Sequence, residues 1–536
     1  MTYRKSTTTR LKSVLFCSVL MLSLGLADAQ VQQTERYEIL RKNSDTWYNI
    51  MSMNDQGLAL IRDKEKYNGN RKLWEVIILD TNLKEKNNFD IEVNHRYSLL
   101  GYDVTKGTLY LLFRMGETTR GDLELIEIKV NEGRESRRFE IKPELDFKIT
   151  HFNCVGPNIV LGGYVSNEPA ILIFDPVDAS LKVLPGFFQK DNELVDLRVN
   201  ENNTFNVVQI DRSLRSQRKL TFRTFDFNGN LLLEDVIPVD DDKSLQNSIT
   251  SALRREELMM LGTWGDKQGK QSLGFFSLTI DPFRDQKVNY TYFGLMDDFL
   301  SYMNPKRAAR IRKSTRESLD NGRKPSFSHY VMPFRLEETP DGFLLLAEIY
   351  NPSATPSSWH THPYGRPAYA TPYYYYNPFW PGYFPGMRMY RPYPYGYSTR
   401  SSDNVKVYAT VVAAFDSEGK PLWDRSIVLD DIKRPALEQI SDFYYNGEKT
   451  YFLYKKESEI RAKIITMGEG EDVEHSEPLM LESSSDEVRS EKEVEDGVRY
   501  WFGNSFYVWG YHTIRNRENR DNRVRDVFYI NKVVVD

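Results

Sequence analysis

The sequence predicts an all-β chain: a β-propeller of about eight four-stranded blades, seven being the alternative count. The N-terminal strand closes the ring, and a short helical insertion and a Tyr/Pro-rich loop interrupt it. Three observations predict this. A turn residue followed by a short apolar strand recurs about every 50 residues, a second strand signal follows each of these by about 20 residues, and helical periodicity is nearly absent between them. The composition agrees: of 536 residues, 40% are apolar and 27% charged, which argues against a disordered chain and against a membrane-spanning bundle. With only 2 cysteines, a disulfide-stapled or zinc-fingered fold is excluded as well.

The chain begins with Arg4, Lys5, Arg10 and Lys12, then an apolar run from Val14 to Leu26 that ends at Ala27-Asp28-Ala29. This is the layout of a secretory signal, and cleavage is expected after Ala29. The run is short for a membrane span, and Leu15-Phe16 before Cys17 do not suit a lipidation site. A single domain, residues 30–536, is then expected beyond the plasma membrane: periplasmic, on the cell surface or extracellular. Its remaining cysteine, Cys154, lies in an apolar segment and reads as an inert thiol.

The first signal starts at Gly57, Gly107, Asn158, Asn203, Glu257, Gly342, Lys449 and Asn504. The second follows in phase, as in Val76–Asp80, Leu125–Ile128, Ile171–Asp175, Phe222–Asp226, Phe276–Asp281, Ala413–Asp416, Ile464–Thr466 and Phe528–Asn531. Asp, Asn and Gly suit hairpins because they tolerate positive φ or bond back to their own backbone. Two hairpins per period make four strands per unit. The last unit lacks a strand after Val533-Val534-Val535, and Tyr37-Glu38-Ile39-Leu40 has no hairpin partner, so the N-terminal strand is expected to complete the C-terminal blade. A pair of β-sandwiches or a β-solenoid is the competing architecture.

Two insertions break the rhythm. Residues 294–328 carry a helix expected from Pro305 to about Leu319, with Asn304 as N-cap and Pro305 as first helical residue. Eight basic residues lie between Lys306 and Lys324 against Glu317 and Asp320, and Lys306, Arg307, Arg310, Arg312 and Lys313 form a candidate patch. Contact with an anionic surface is one reading; a solvated helix packed through Phe299, Met303 and Ile311 is the other. Nucleic acid is not expected for an exported acidic chain without a recognition motif.

Residues 351–402 hold ten Pro and eleven Tyr, with no Asp or Glu between Glu348 and Asp403. Pro fixes φ and removes donors, so neither sheet nor helix is expected there. Exposed aromatic and Arg side chains are the materials of a recognition surface, and Trp359, Tyr373, Tyr374, Tyr375, Tyr376, Trp380, Arg391, Tyr393 and Tyr395 are the candidate binding residues. The loop splits one blade between Phe343–Ala347 and Val405–Ala414.

Chemistry is sparse. None of the seven His lies in a catalytic motif, and His360-Thr361-His362 has no carboxylate or Cys nearby in sequence, so no metal, cofactor or catalytic residue is assigned. Asp240-Asp241-Asp242 and Asp430-Asp431 follow outer-strand segments and are expected either to present carboxylates at comparable loop positions or to be polar turns. Asn202-Asn203-Thr204 and Asn289-Tyr290-Thr291 match the N-glycosylation pattern.

Asp416-Ser417-Glu418-Gly419-Lys420-Pro421-Leu422-Trp423 resembles the outer-blade turn of bacterial quinoprotein-like propellers, which include both dehydrogenases and non-enzymatic envelope scaffolds. Asp226-Phe227-Asn228-Gly229-Asn230 is a partial copy. The chain as a whole is also similar to secreted proteins of Bacteroidetes-type bacteria. The resemblance implies the architecture and an envelope location. The function expected is a non-enzymatic binding or scaffolding propeller with an envelope protein or glycan as partner; the alternative is a polymer-degrading hydrolase or lyase with its site at the channel mouth.

Overall fold

A computed structural model describes residues 31–42, 45–105, 107–116, 121–211, 213, 218–251, 258–266, 271–281, 286–352, 388–389, 405–434, 439–466, 472–492, 496–518 and 524–536, without the side chains of 352, 388, 389, 430 and 431. The leader therefore lies outside the described residues. So do all nine candidate binding residues of the Tyr/Pro loop, together with His360 and His362.

The described residues form eight antiparallel sheets in a ring. The inner strands of blades 1 to 8 are Asn49–Ser52, Tyr97–Thr105, Phe147–Val155, Asn192–Val199, Lys243–Thr250, Tyr330–Thr339, Ser441–Tyr445 and Gly497–Phe502. All eight first signals are second strands of blades, and all eight second signals are third strands. In blade 8 the long second strand, Ser505–Asn516, pairs with Gly497–Phe502 along one half and with Asp486–Glu491 along the other. The N-terminal strand Val31–Leu40 pairs with Val524–Val535 and supplies the outermost strand of that blade. The ring closes as expected.

The core consists of eight apolar clusters, one per seam between neighbouring blades. Leu197, Val199 and Phe205 of blade 4 meet Val155, Val160 and Ile173 of blade 3, for example. Blade strands alternate seam-facing residues to either side, so each sheet is covered on both faces and reads as nearly continuous apolar sequence. The narrow ends of the blades present another problem, because the inner strands of most blades have an edge without a strand partner among the described residues. Side chains of neighbouring blades meet some of that demand. Asp103 accepts from Cys154 N at 2.7 Å, Asp196 from Thr250 N at 3.1 Å and Asp442 from Tyr500 N at 2.9 Å. Asn153 and Asn247 donate to the carbonyls of Leu197 and Val331. Trp501 Nε1 donates to Gly57 O across the closing seam.

The outer-blade turn has a mechanical explanation. Asp416 accepts from the N–H groups of Glu418 and Lys420, Gly419 takes φ +80°, and the turn sits on the preceding blade, where Ser277 and Asn289 donate to the carbonyls of Gly419 and Glu418. Asp226 and Gly229 repeat the arrangement against Leu184 and Ile173. The motif is thus a seam device. Cys154 is buried, with its thiol pushed well up by burial, in keeping with an inert role.

Candidate functional site

In blade 6 the inner strand runs antiparallel to the second strand, Gly342–Pro352, and Tyr330 lies opposite Tyr350. The beginning of one strand and the end of the other therefore share one end of the blade. The helical insertion enters at the first, and the Tyr/Pro insertion leaves at the second and returns at Val405, opposite Pro352. Both insertions are therefore attached at one face of the disc.

The helix spans Pro305–Asp320, with the Asn304 side chain accepting from Lys306 N at 3.0 Å. Ala308 and Thr315 are buried against the blades, and Met303 and Ile311 pack beside Phe299 in the seam between blades 5 and 6. The segment before the helix is pinned by exchanged bonds: Asp424 accepts from Asp297 N and Asp298 N, each at 2.9 Å, while Asp298 accepts from Ser426 N at 2.8 Å. Phe293 and Phe299 stack at 4.2 Å beneath it. The packed-helix expectation holds for the apolar side. On the other side Lys306, Arg307, Arg310 and Lys313 are exposed. Arg312 is half-buried, and its guanidinium donates to the Asp297 carbonyl. Lys313 has a loose i,i+4 contact with Glu317 at 3.7 Å.

Three half-buried rings join the feet of the insertions. Tyr302 precedes the helix, His329 follows it, and Tyr408 stands on the strand returning from the Tyr/Pro insertion. The tyrosine rings lie 6.0 Å apart and nearly parallel, at 22°, and His329 stands edge-on to both at 5.7 and 6.0 Å. His329 is held by a two-way backbone bridge to Ser272, 2.8 Å in each direction. Lys406 Nζ lies 5.1 Å from the Tyr408 ring centre. The charge of Arg307 acts on both Tyr302 and His329; burial, helped by that charge, lowers the His329 pKa and keeps the ring neutral at neutral pH. Burial also raises the Tyr302 hydroxyl, which has no hydrogen-bond partner among the described residues. Sequence reasoning missed this cluster. The available signal was that Tyr302, His329 and Tyr408 all flank the insertions.

The Tyr/Pro insertion was expected to contain no sheet, and this is corrected at one point: Arg388–Met389 pairs antiparallel with Tyr102 and Gly101 of the blade 2 inner strand. These two residues lie in a Pro-free run between Pro385 and Pro392, so their backbone N–H groups are available. The expected equivalence of the acidic runs is also corrected. Asp240–Asp242 form the turn from blade 4 to blade 5, where Asp240 and Asp242 pair with Lys243 at 2.7 and 3.4 Å. Asp430 and Asp431 instead lie within the outer strand of blade 6, Pro421–Arg434, at a bulge where the register slips between Val407 and Ala409. A strand long enough to follow the extended third strand continues past Leu429 and leaves no loop there.

Buried ions form a second cluster across blades 6, 7 and 8. Arg434 meets Asp496 at 2.7 Å, Lys455 meets Asp496 at 2.5 Å and also Glu491, and His512 lies 3.6 Å from Glu491. Nearby, Glu348 accepts from Ile440 N and Ser441 N at 2.6 and 3.2 Å, and burial pushes its carboxyl up to about 8. Burial would raise Glu491 as well, but its bonds to His512 and Lys455 and their charges bring it down to about 2. Such opposed shifts also occur where acid/base chemistry is done. Here the ions pair with one another inside the seam, and among the described residues no group of three potential ligands would hold a metal.

No protein-family model matches the chain, and no curated protein matches it. Solved structures with similar architecture include the polysaccharide lyase Uly1, at 9% identity and TM-score 0.36 over 93% of this chain and 100% of that one. The β-propeller domain of the Trilobed protease from Pyrococcus furiosus is 12% identical, with TM-score 0.32 over 81% and 95%. A structure from a study of two prolyl endopeptidases is 7% identical, with TM-score 0.35, and covers 87% of this chain but 54% of its own; the chain thus spans about half the length of that relative. For prolyl oligopeptidase B from Galerina marginata the share is 39%. These likenesses concern the fold alone.

Proposed function

We propose that the protein is an exported, non-enzymatic binding or scaffolding propeller of the cell envelope. Its contact face is the one carrying both insertions, and its partner is an envelope protein or glycan. One observation supports this reading above the rest: Tyr330 lies opposite Tyr350, so the basic helix and the aromatic insertion are attached at the same end of one blade. Loops on a rigid scaffold are where recognition residues collect, and rigid aromatic rings give contact area at low entropic cost. The propeller supplies the rigidity, because each blade is packed on both sides.

The competing reading, a hydrolase or lyase, would draw on the opposed carboxylates Glu348 and Glu491. Both are engaged within the seam, which favours a structural use. The test is capture from envelope fractions and on a glycan panel, comparing residues 30–536 with the same chain lacking residues 355–397. A specific partner lost on deletion supports the binding role. Depolymerisation of any glycan by the intact chain, abolished by Glu348→Gln, would replace it with the enzyme.

A further inference from the structure

The ring cluster at the feet of the insertions has the chemistry of a ligand site. Tyr302 and Tyr408 are half-buried, nearly parallel rings with centres 6.0 Å apart at the edge of the core between blades 5 and 6, and His329 stands edge-on to both. Lys406 Nζ of the returning strand lies 5.1 Å from the Tyr408 ring centre, and the charge of Arg307, in the first turn of the helix, acts on Tyr302 and His329. The basic side of the helix, Lys306, Arg310 and Lys313, continues outward from Arg307 at i, i+4 and i+7 spacing, so the positive charge forms a track leading away from the rings. Among the described residues Lys306, Arg307 and Arg310 have no ion-pair partner.

Resting on the binding role proposed above, we infer that this is a subsite for an acidic polysaccharide whose sugar units carry carboxylates. A pyranose ring lies against Tyr302 and Tyr408, its carboxylate meets Arg307, and the following units run along Lys306, Arg310 and Lys313. The flat apolar side of a pyranose matches an aromatic face, and a guanidinium presents a planar fork that matches a carboxylate. Repeating charge along the polymer suits a track of cations. Two other partners fit less well. A membrane surface needs apolar side chains free to enter it, but the apolar side of the helix, Ala308 and Ile311, is used against the blades. An extended peptide needs unpaired backbone, but the His329 backbone is bonded to Ser272, and the strands beginning at Tyr330 and Val405 are paired within their sheet.

The experiment is titration calorimetry of residues 30–536 with an oligogalacturonate, a neutral oligosaccharide of equal length, a sulfated oligosaccharide and anionic phospholipid vesicles. Arg307→Ala is the first variant because Arg307 is exposed and its loss leaves the fold intact. Tyr408→Phe and Tyr408→Ala follow, with thermal melts to confirm folding. The expected result is oligogalacturonate binding that weakens with salt, falls about tenfold or more in Arg307→Ala and in Tyr408→Ala, and survives in Tyr408→Phe. Absence of binding, equal binding of the neutral sugar, preference for sulfated sugar or vesicles, or indifference to Arg307→Ala would each overturn the inference. If oligogalacturonate fails while capture from the envelope still depends on residues 355–397, the subsite is wrong and the binding role stands. If oligogalacturonate binds as expected but envelope capture is indifferent to the deletion, the subsite stands and the Tyr/Pro loop is not the contact surface.

Discussion

The seam between blades 3 and 4 and the seams joining blades 6, 7 and 8 meet the same packing demand with different chemistry. Between blades 3 and 4 the contact is apolar, from Val155 and Val160 to Leu197 and Phe205, with Asn153 bonding across at the narrow end. Between blades 6, 7 and 8 the apolar clusters are interrupted by Arg434, Asp496, Lys455, Glu491 and His512, and Arg335 is sandwiched 4.5 Å from both Phe443 and Tyr500 while bonded to Asp442 at 2.8 Å. Apolar contacts tolerate small shifts, whereas buried ions must have partners in place. The ionic seams lie where the ring is closed by a separate strand and where the two insertions leave blade 6. Directional bonds there hold registers that apolar packing alone would leave free to slide.

Breaking the ionic seam should give the largest effect. Lys455→Met leaves Asp496 and Glu491 without their shared cation, and chemical denaturation should show a loss of about 3–5 kcal/mol. Leu197→Ala in the apolar seam should cost about 2–4 kcal/mol. A loss for Lys455→Met below that of Leu197→Ala would mean that the ionic network contributes less than packing.

The two carboxylates of the ionic region should respond to pH with opposite signs. Glu348 is raised when folded, so its contribution is fully present below about 4.5 and is lost as pH rises through about 8. Glu491 is lowered, so its contribution is present above about 4.5 and lost as pH falls towards about 2. Glu348→Gln should flatten the alkaline decline and gain on the order of 2 kcal/mol at pH 8.5 relative to the parent. Unchanged pH dependence of unfolding would show that Glu348 ionises without penalty.

Gly229 tests the outer turns. It sits at φ +81°, and an added Cβ would come within 2.4 Å of Leu184 and 2.7 Å of Ile173. Gly229→Ala should cost about 1–2 kcal/mol through strain and crowding together. The smallest effect belongs to the helix surface: Arg310→Ala should change the melting free energy by less than about 0.5 kcal/mol. A larger loss would mean that the exposed cation is structural, and it would weaken the case for a binding track.

Most of the architecture was legible because a blade is a local object. Gly57, Gly107 and Gly342 at hairpins, and apolar runs such as Ile171–Phe174, are separated by a few residues, and neighbouring strands pair in sequence order. The helix was equally legible, since Asn304 and Pro305 act on its first turn alone. The sites were not. Tyr302, His329 and Tyr408 are single aromatics in unremarkable segments, and they meet because strand register brings Tyr330 beside Tyr350 while the returning strand joins from the other side. Lys455, Glu491 and His512 look like ordinary hairpin and strand residues until three blades enclose them. Asp430 and Asp431 misled for the converse reason: a run of acidic residues suggests a turn, but here it forms a bulge within a long outer strand that goes on pairing beyond it.

By itself the sequence determined the all-β class, a repeat of about eight units and the positions of both insertions, because these depend on turn chemistry and on periodicities within about 50 residues; the closing N-terminal strand followed from the strand missing after the last unit. The tertiary structure alone decided which charges are buried, which face carries both insertions and which rings stand together. Those properties depend on burial and on distances between residues up to about a hundred positions apart, and neither exists until the ring has closed.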